Sequence, residues 1–162
     1  MITQEYLKSI LSYDPETGLF LWKISRSNRV KIGSEPGCTT NTGYICIKLD
    51  GKKYQAHRLA WLYVYGYMPK NDVDHINGNR IDNRIINLRE ATRSENIQNL
   101  KKCNSNNKTG LLGSCFNKSV NKFQAQIVIN YKRIHLGYFN TAIEAHEAYI
   151  KAKRELHPYG EL

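Results

Sequence analysis

Apolar positions along this chain recur with two rhythms, and the changes between them outline the elements. Residues 3–12 have helical spacing, with Tyr6, Leu7, Ile10 and Leu11 on one face and Thr3 placed as an N-cap. Asp14-Pro15-Glu16-Thr17-Gly18 reads as a turn, and residues 19–24 as a strand. Residues 25–42 are polar and interrupted by Gly and Pro, so mostly loop is predicted. Residues 44–49 alternate as a strand, Asp50-Gly51 signals a hairpin, and residues 53–56 form the return strand. Residues 57–65 then turn apolar and helical, stopped by Gly66 and Pro69. A short strand at 73–76, a turn at Asn77-Gly78-Asn79 and a second short strand at 88–91 follow. Thr92-Arg93-Ser94-Glu95 has the form of a capping box, so a helix starts there and carries Asn96 and Ile97.

Residues 99–109 are Asn, Lys, Ser and Thr with few apolar anchors, which predicts a linker at 99–108 between a domain at 1–98 and another at 109–162. The second domain reads as three strands, at 111–116, 122–129 and 132–136, and a helix at about 142–156 opened by the capping box Thr141-Ala142-Ile143-Glu144. Phe123, Ala125, Ile127 and Ile129 share one face of the middle strand. That face should meet Ala145, Tyr149, Ala152 and Leu156 of the helix, since small alanines allow close approach. Lys122, Gln124 and Gln126 fall on the opposite face, joined by Arg133 and His135.

Charge adds a partner to this picture. Lys and Arg number 24 against 14 Asp and Glu, a formal net charge of +10, which favours a polyanion. From Asn96 to Ile143 there is no acidic residue, but there are seven cations: Lys101, Lys102, Lys108, Lys118, Lys122, Lys132 and Arg133. A phosphate-facing surface explains such a one-signed segment. The cysteines, Cys38, Cys46, Cys103 and Cys115, lack Cys-x-x-Cys spacing, which disfavours structural zinc. The opening Met-Ile-Thr-Gln-Glu-Tyr is not of the secretory type, so reduced thiols in a cytoplasmic protein are expected. No apolar run approaches a membrane span, residues 59–64 being among the longest.

The candidate chemistry lies in residues 74–96. Asp74 offers a hard oxygen suited to Mg²⁺ or Mn²⁺. His75 can take a proton from water near neutral pH. Neighbours in a regular strand face opposite ways, so the two act together only where a strand ends, and the Asn77-Gly78 turn supplies that end. Asn87 can orient His75 through its side chain, and Asn96, in the first turn of the helix, can return an amide oxygen to a metal. These are the needs of metal-assisted phosphodiester hydrolysis.

The run resembles the His-Asn-His (HNH) nuclease motif, in the variant that opens with Asp-His and closes with Asn. More widely, residues 54–96 resemble HNH homing endonucleases of phages. The resemblance runs through His57-Arg58-Leu59-Ala60-Trp61, Asp74-His75-Ile76-Asn77-Gly78, Asp82-Asn83 and Asn87-Leu88-Arg89. It implies two strands and a helix gripping one divalent cation, with Asp74 and Asn96 as ligands, His75 as general base and Asn87 as its orienter. Asp74 and Asn96 depart from the founding letters but keep oxygen donors, which favours magnesium over zinc. His57 is open between a phosphate contact and a packed imidazole. Arg58 and Arg93 are candidate phosphate contacts, and equally solvated charges.

Residues 109–157 resemble the Apetala-two/ethylene-response-factor DNA-binding domain through Gly113, Lys122-Phe123-Gln124-Ala125-Gln126-Ile127, Leu136-Gly137-Tyr138-Phe139 and Glu144-Ala145-His146-Glu147-Ala148-Tyr149. In that family the sheet enters the major groove. Cys115, Asn117 and Val128 stand where plant members place Arg, so base preference does not carry over. The resemblance makes Lys118, Lys122, Gln124, Gln126, Lys132, Arg133 and His135 the candidate DNA contacts.

The expected fold is α+β, an HNH (ββα-metal) nuclease domain followed by a small three-stranded antiparallel sheet on one helix. The expected function is metal-dependent cleavage of double-stranded DNA, as a homing endonuclease acting in a bacterial host if phage-encoded. One such site per chain cuts one strand per engagement, so a double-strand break needs a dimer or a second event. Two rivals stay open. A DNA-binding regulator could retain the HNH shell without activity, although Asp74, His75, Asn87 and Asn96 are all present. An RNA-binding module could stack bases on its eleven tyrosines, although no RNA motif is recognisable.

Overall fold

The computed structural model describes residues 2–28, 30–99, 103–104 and 106–157. Lys101 and Lys102 of the acid-free segment lie outside the described residues. The fold is mixed α and β, with four small antiparallel sheets among the described residues. The chain forms two compact units, Met1–Ala91 and Thr92–Leu162, divided earlier than the expected boundary at 98.

The first unit opens with α1 (Gln4–Ile10), where the Thr3 side chain accepts from the Tyr6 backbone N–H. The expected helix stops short of residue 12, because Leu11–Tyr13 is a strand, β1. It pairs with β2 (Phe20–Trp22), Leu11 opposite Trp22 and Tyr13 opposite Phe20, and all four side chains are buried. Ladder bonds and burial of one face of this hairpin override the helical spacing. Tyr6 leaves the apolar face and bonds Asp50 through its hydroxyl at 2.6 Å.

The loop at 25–42 contains a two-residue strand, β3 (Cys38–Thr39), on the edge of β4 (Ile45–Leu49), which also pairs with β5 (Lys52–Gln55). Asp50 and Gly51 have consecutive positive φ of 48° and 79°, the conformation of a tight hairpin turn. All four cysteines are free thiols. α2 (Ala56–Tyr65) ends at Gly66 in the left-handed conformation. Its Leu59, Ala60 and Leu62 pack with Leu7, Ile10, Leu11, Ile47 and Leu49 in one core. Each fully buried leucine contributes roughly 1.5–3 kcal/mol. The hairpin of β6 (Asp72–His75) and β7 (Leu88–Ala91) completes the unit.

The second unit begins with α3 (Arg93–Gln98), which has both capping-box bonds between Thr92 and Glu95. Its sheet has the order β10-β9-β8, from β8 (Ser114–Asn117), β9 (Lys122–Ile129) and β10 (Lys132–Phe139). α4 (Ala142–Leu156), also opened by a complete capping box, covers one face of it. Ala145, Tyr149 and Ala152 are buried there with Ala125 and Ile127, as their spacing predicts. Leu156 instead is exposed, and burial at that end passes to His157, whose Nε2 donates to the Val128 carbonyl at 2.9 Å.

Two glycines explain where the strands depart from expectation. β8 starts only at Ser114 because Gly113 turns with φ of 71°. β10 runs past residue 136 because Gly137, at φ 135°, absorbs a bulge between His135 and Gly137. A Cβ on Gly113 would lie 2.0 Å from Cγ of Tyr149. Gly113→Ala is therefore expected to cost roughly 1–3 kcal/mol through overpacking, with backbone strain added. Amide hydrogen exchange in β8, β9 and α4 of the intact chain should accelerate, while exchange in α1 and α2 stays unchanged.

Candidate active site

β6 and β7 pair antiparallel with Asp74 opposite Arg89 and His75 opposite Leu88. His75 is the last residue of β6, and Gly78 N–H donates to its carbonyl at 2.8 Å, so the chain turns directly after it. This is the strand end that concerted action of Asp74 and His75 requires. Both are nearly out of solvent, at 9% and 3% exposure.

The loop from Ile76 to Asn87 is braced by polar side chains. Ile85–Asn87 form a 3₁₀ turn leading into β7, and Ile76 N–H donates to the Asn87 carbonyl at 2.9 Å. The Asn87 carboxamide accepts from Asn77 N–H at 2.9 Å and donates to the Asp82 carbonyl at 2.8 Å. Asp82 receives the Asn77 amide at 2.7 Å and both Nε and Nη2 of Arg84, at 2.8 and 2.7 Å. The Arg84 bonds, seconded by Asn77, hold the Asp82 carboxyl down at about 2. Below the loop, the Tyr13 hydroxyl donates to the Asn83 carbonyl at 2.7 Å. Gly18 packs so closely that a Cβ would lie 2.5 Å from Arg84 N.

Asn83, of the Asp82-Asn83 pair in the HNH-like run, is the side chain that meets the His75 ring. It is 2% exposed, and its Nδ2 donates to the Ile81 carbonyl at 3.3 Å. That contact turns Oδ1 toward His75 Nε2, 3.2 Å away. A carbonyl oxygen only accepts, so Nε2 carries the imidazole proton and the lone pair lies on Nδ1. Burial pushes the His75 pKa down, so the ring is neutral at physiological pH. Asn87, expected to bond the ring, instead closes the loop that presents it. Its residue type announced a polar bridge, but the partner was set by loop geometry.

A second imidazole stands beside the first. His57, near the start of α2, is 3% exposed, and its ring is edge-on to that of His75 with centroids 5.0 Å apart. Burial, with His75 as a secondary cause, lowers its pKa to about 3, so it too is neutral. Its Nδ1 is buried without a hydrogen-bond partner. Tyr44 packs on both rings, at 5.2 and 5.9 Å, and the Arg80 guanidinium lies 4.9 Å over Tyr44 while donating to the Thr42 carbonyl. This cluster was not legible as a unit, because its members come from four separated segments.

Asp74 Oδ2 accepts from Arg89 Nε and Nη2 at 3.2 and 3.0 Å. Arg58, a candidate phosphate contact, donates to the carbonyls of Asn71 and Pro69 at 3.1 and 2.8 Å and so ties down the approach to β6. Asn96 is half-buried on α3 and Arg93 exposed; both belong to the second unit. Among the described residues no three His, Cys, Asp or Glu converge on one point. The Asp74 carboxylate is nonetheless a donor of the hard class that Mg²⁺ and Mn²⁺ take, cations that also retain water and phosphate oxygens.

In the second unit, Lys118, Lys122, Lys132, Arg133 and His135 are exposed, and Gln124 and Gln126 half-buried. None of these four cations has a carboxylate partner among the described residues. No described helix is long and apolar enough to cross a membrane.

Residues 54–98 match the family described as HNH endonuclease, a span that includes Asp74, His75, Asn83, Asn87 and Asn96. No curated protein matches the chain. A solved structure titled "DNA binding and cleavage by the HNH homing endonuclease I-HmuI" aligns with 27% identity and a TM-score of 0.41. The alignment covers 56% of this chain and 51% of the other, so this chain spans about half the length of that protein.

Two outcomes test this geometry. Asn83→Ala leaves the His75 Nε2–H without its acceptor, a loss of about 1–3 kcal/mol for a buried donor. Nitrogen-15 spectra of the imidazoles should show a pure Nε2–H tautomer for His75 in the parent and a mixture in the variant.

For Asp82 the pKa is lowered by folding, so its stabilisation is complete above the pKa of an unfolded aspartate and lost as pH falls through about 2. Exchange protection of the Asn77 side-chain amide, which donates to Asp82, should thus persist on acidification to about pH 4 and be lost at every pH in Asp82→Ala.

Proposed function

We propose that this chain is a metal-dependent endonuclease that hydrolyses phosphodiester bonds in double-stranded DNA, with site preference of the homing type. The observation that carries this reading is a neutral, tautomer-fixed imidazole at a strand end beside the Asp74 carboxylate, within a segment matching HNH endonucleases. The first unit carries the chemistry. The second is the DNA-holding part: it resembles an Apetala-two-type domain, and Lys118, Lys122, Lys132 and Arg133 have no carboxylate partner among the described residues.

His75 Nδ1 takes the proton of the attacking water, and the Asn83 amide stabilises the opposite edge of the ring as it becomes cationic. Asn87 keeps the base at the loop mouth, so little reorganisation precedes reaction. His57, neutral and edge-on, limits tilting of the His75 ring without adding a positive charge next to it. Asp74 would hold the divalent cation, and the resemblance to the HNH motif implies the same role for Asn96. Bound there, Mg²⁺ or Mn²⁺ would polarise the scissile phosphate and stabilise the departing oxygen.

Plasmid DNA incubated with the protein should be nicked or cut with Mg²⁺ or Mn²⁺ and left intact with EDTA. His75→Ala should slow cleavage by roughly 10²–10⁴. Its DNA affinity, measured in EDTA, should equal the parent's, since no phosphate contact is removed. A variant cleaving at the parental rate would rule out His75 as the base.

A further inference from the structure

The polar face of the second unit contains a hydrogen-bonded row that crosses all three strands. Asn117 ends β8, Gln124 lies in β9 and His135 in β10. The row starts at a backbone group: Ser119 N–H donates to Asn117 Oδ1 at 3.0 Å. That fixes which end of the Asn117 amide faces inward, and its Nδ2 donates to Gln124 Oε1 at 3.3 Å. Gln124 Nε2 then lies 3.1 Å from His135 Nδ1. An amide nitrogen only donates, so in this bond Nδ1 is the acceptor and the ring N–H lies on Nε2. The Tyr138 ring rests on the imidazole, with centroids 4.5 Å apart, and holds that end.

The Gln124 amide is therefore clamped from both sides before any ligand arrives. A carboxamide has two N–H donors and two acceptor lone pairs. One of each is engaged in the row, which leaves one donor and one acceptor. In the major groove adenine shows one acceptor, N7, beside one donor, N6–H, whereas guanine shows two acceptors, O6 and N7. We infer that Gln124 reads a single adenine in the major groove of the bound site, and that Asn117 and His135 act as positioning residues that hold its amide for that base. Charge supports DNA as the occupant: Lys122 shares the face, Arg133 and Lys132 follow on β10, and none has a carboxylate partner among the described residues. A clamped amide loses less side-chain freedom on binding than a free glutamine, and it cannot rotate to offer two donors to guanine. The inference rests on the reading of the second unit as the DNA-holding part.

The test selects bound sites from randomised duplexes with the full chain in EDTA, so that binding is read without cleavage. The parent should show one position restricted to A·T. At that position Gln124→Ala should relax the preference, with the other positions unchanged, and the loss of affinity for the selected site should be roughly 5- to 150-fold. Replacing that adenine by 7-deaza-adenine should weaken the parent and leave Gln124→Ala unaffected. Gln124→Glu should shift the preferred base to cytosine, whose N4–H₂ suits a carboxylate. His135→Ala should give an intermediate relaxation at the same position and none elsewhere.

The inference fails if Gln124→Ala selects the same base as the parent everywhere, or if the relaxed position is not an adenine. A separate arm tests the reading beneath it: Lys122→Gln with Arg133→Gln should weaken binding to all sequences and lower the slope of log affinity against log salt by about two. If this double variant and Gln124→Ala both bind as the parent does, the second unit does not hold DNA, and the adenine assignment falls with it.

Discussion

One carboxamide holds the candidate active site together. Asn87 stands where the loop returns to its hairpin, and its side chain reaches across to Asn77 N–H on one limb and to the Asp82 carbonyl on the other. Twelve residues between two short strands would otherwise wander, because a pair of four-residue strands cannot discipline a loop of that length. With the bridge in place, Asp82 can gather Asn77 and Arg84, Asn83 is pressed under the loop against Tyr13, and His75 meets a fixed acceptor. The His75 tautomer is thus set by Asn83, which is itself held in place by groups that do not bond the ring.

The two units share a way of turning backbone order into side-chain order. In the first, the Ile81 carbonyl fixes an asparagine amide, which fixes a histidine tautomer. In the second, the Ser119 N–H fixes an asparagine, then a glutamine, then a histidine. Amides and imidazoles have donor and acceptor ends that can exchange, so each needs an external reference. A main-chain group, whose polarity cannot flip, provides it. The ion pairs Arg26–Asp50, Arg84–Asp82 and Arg89–Asp74 lie in the first unit. The sheet cations Lys122, Lys132 and Arg133 of the second are exposed and have no carboxylate partner among the described residues.

Much of this was legible because local rules and tertiary structure agree. The β9 alternation, both capping boxes and the Asp50-Gly51 turn appear where their residues predict them. Disagreement arises where distant pairing decides. Leu11 continues a helical face in sequence, yet Trp22 recruits it into a ladder. The last strand, expected to end at residue 136, instead takes up a bulge at Gly137 and continues to Phe139. At the site, Asp74 and His75 were legible from residue type plus a following turn. The pairing of His75 with Asn83 was not, because two asparagines four residues apart are chemically alike and only the path of the loop chooses between them. The approach of His57 to His75 has no local signal at all.

The bulge at Gly137 has a consequence for how such a surface could change over generations. Because one extra residue is accommodated there, His135 and Tyr138 emerge on the same side of the sheet although three positions separate them. In an unbroken strand they would be on opposite sides. Loss of the one residue absorbed there would restore strict alternation with His135 still opposite Gln126 and Tyr138 still opposite Gln124, so both rings would stay on that side. A one-residue change elsewhere in β10 would instead turn over every side chain beyond it. The bulge therefore marks the point where a frame-preserving deletion can shorten this strand without reversing its polar face.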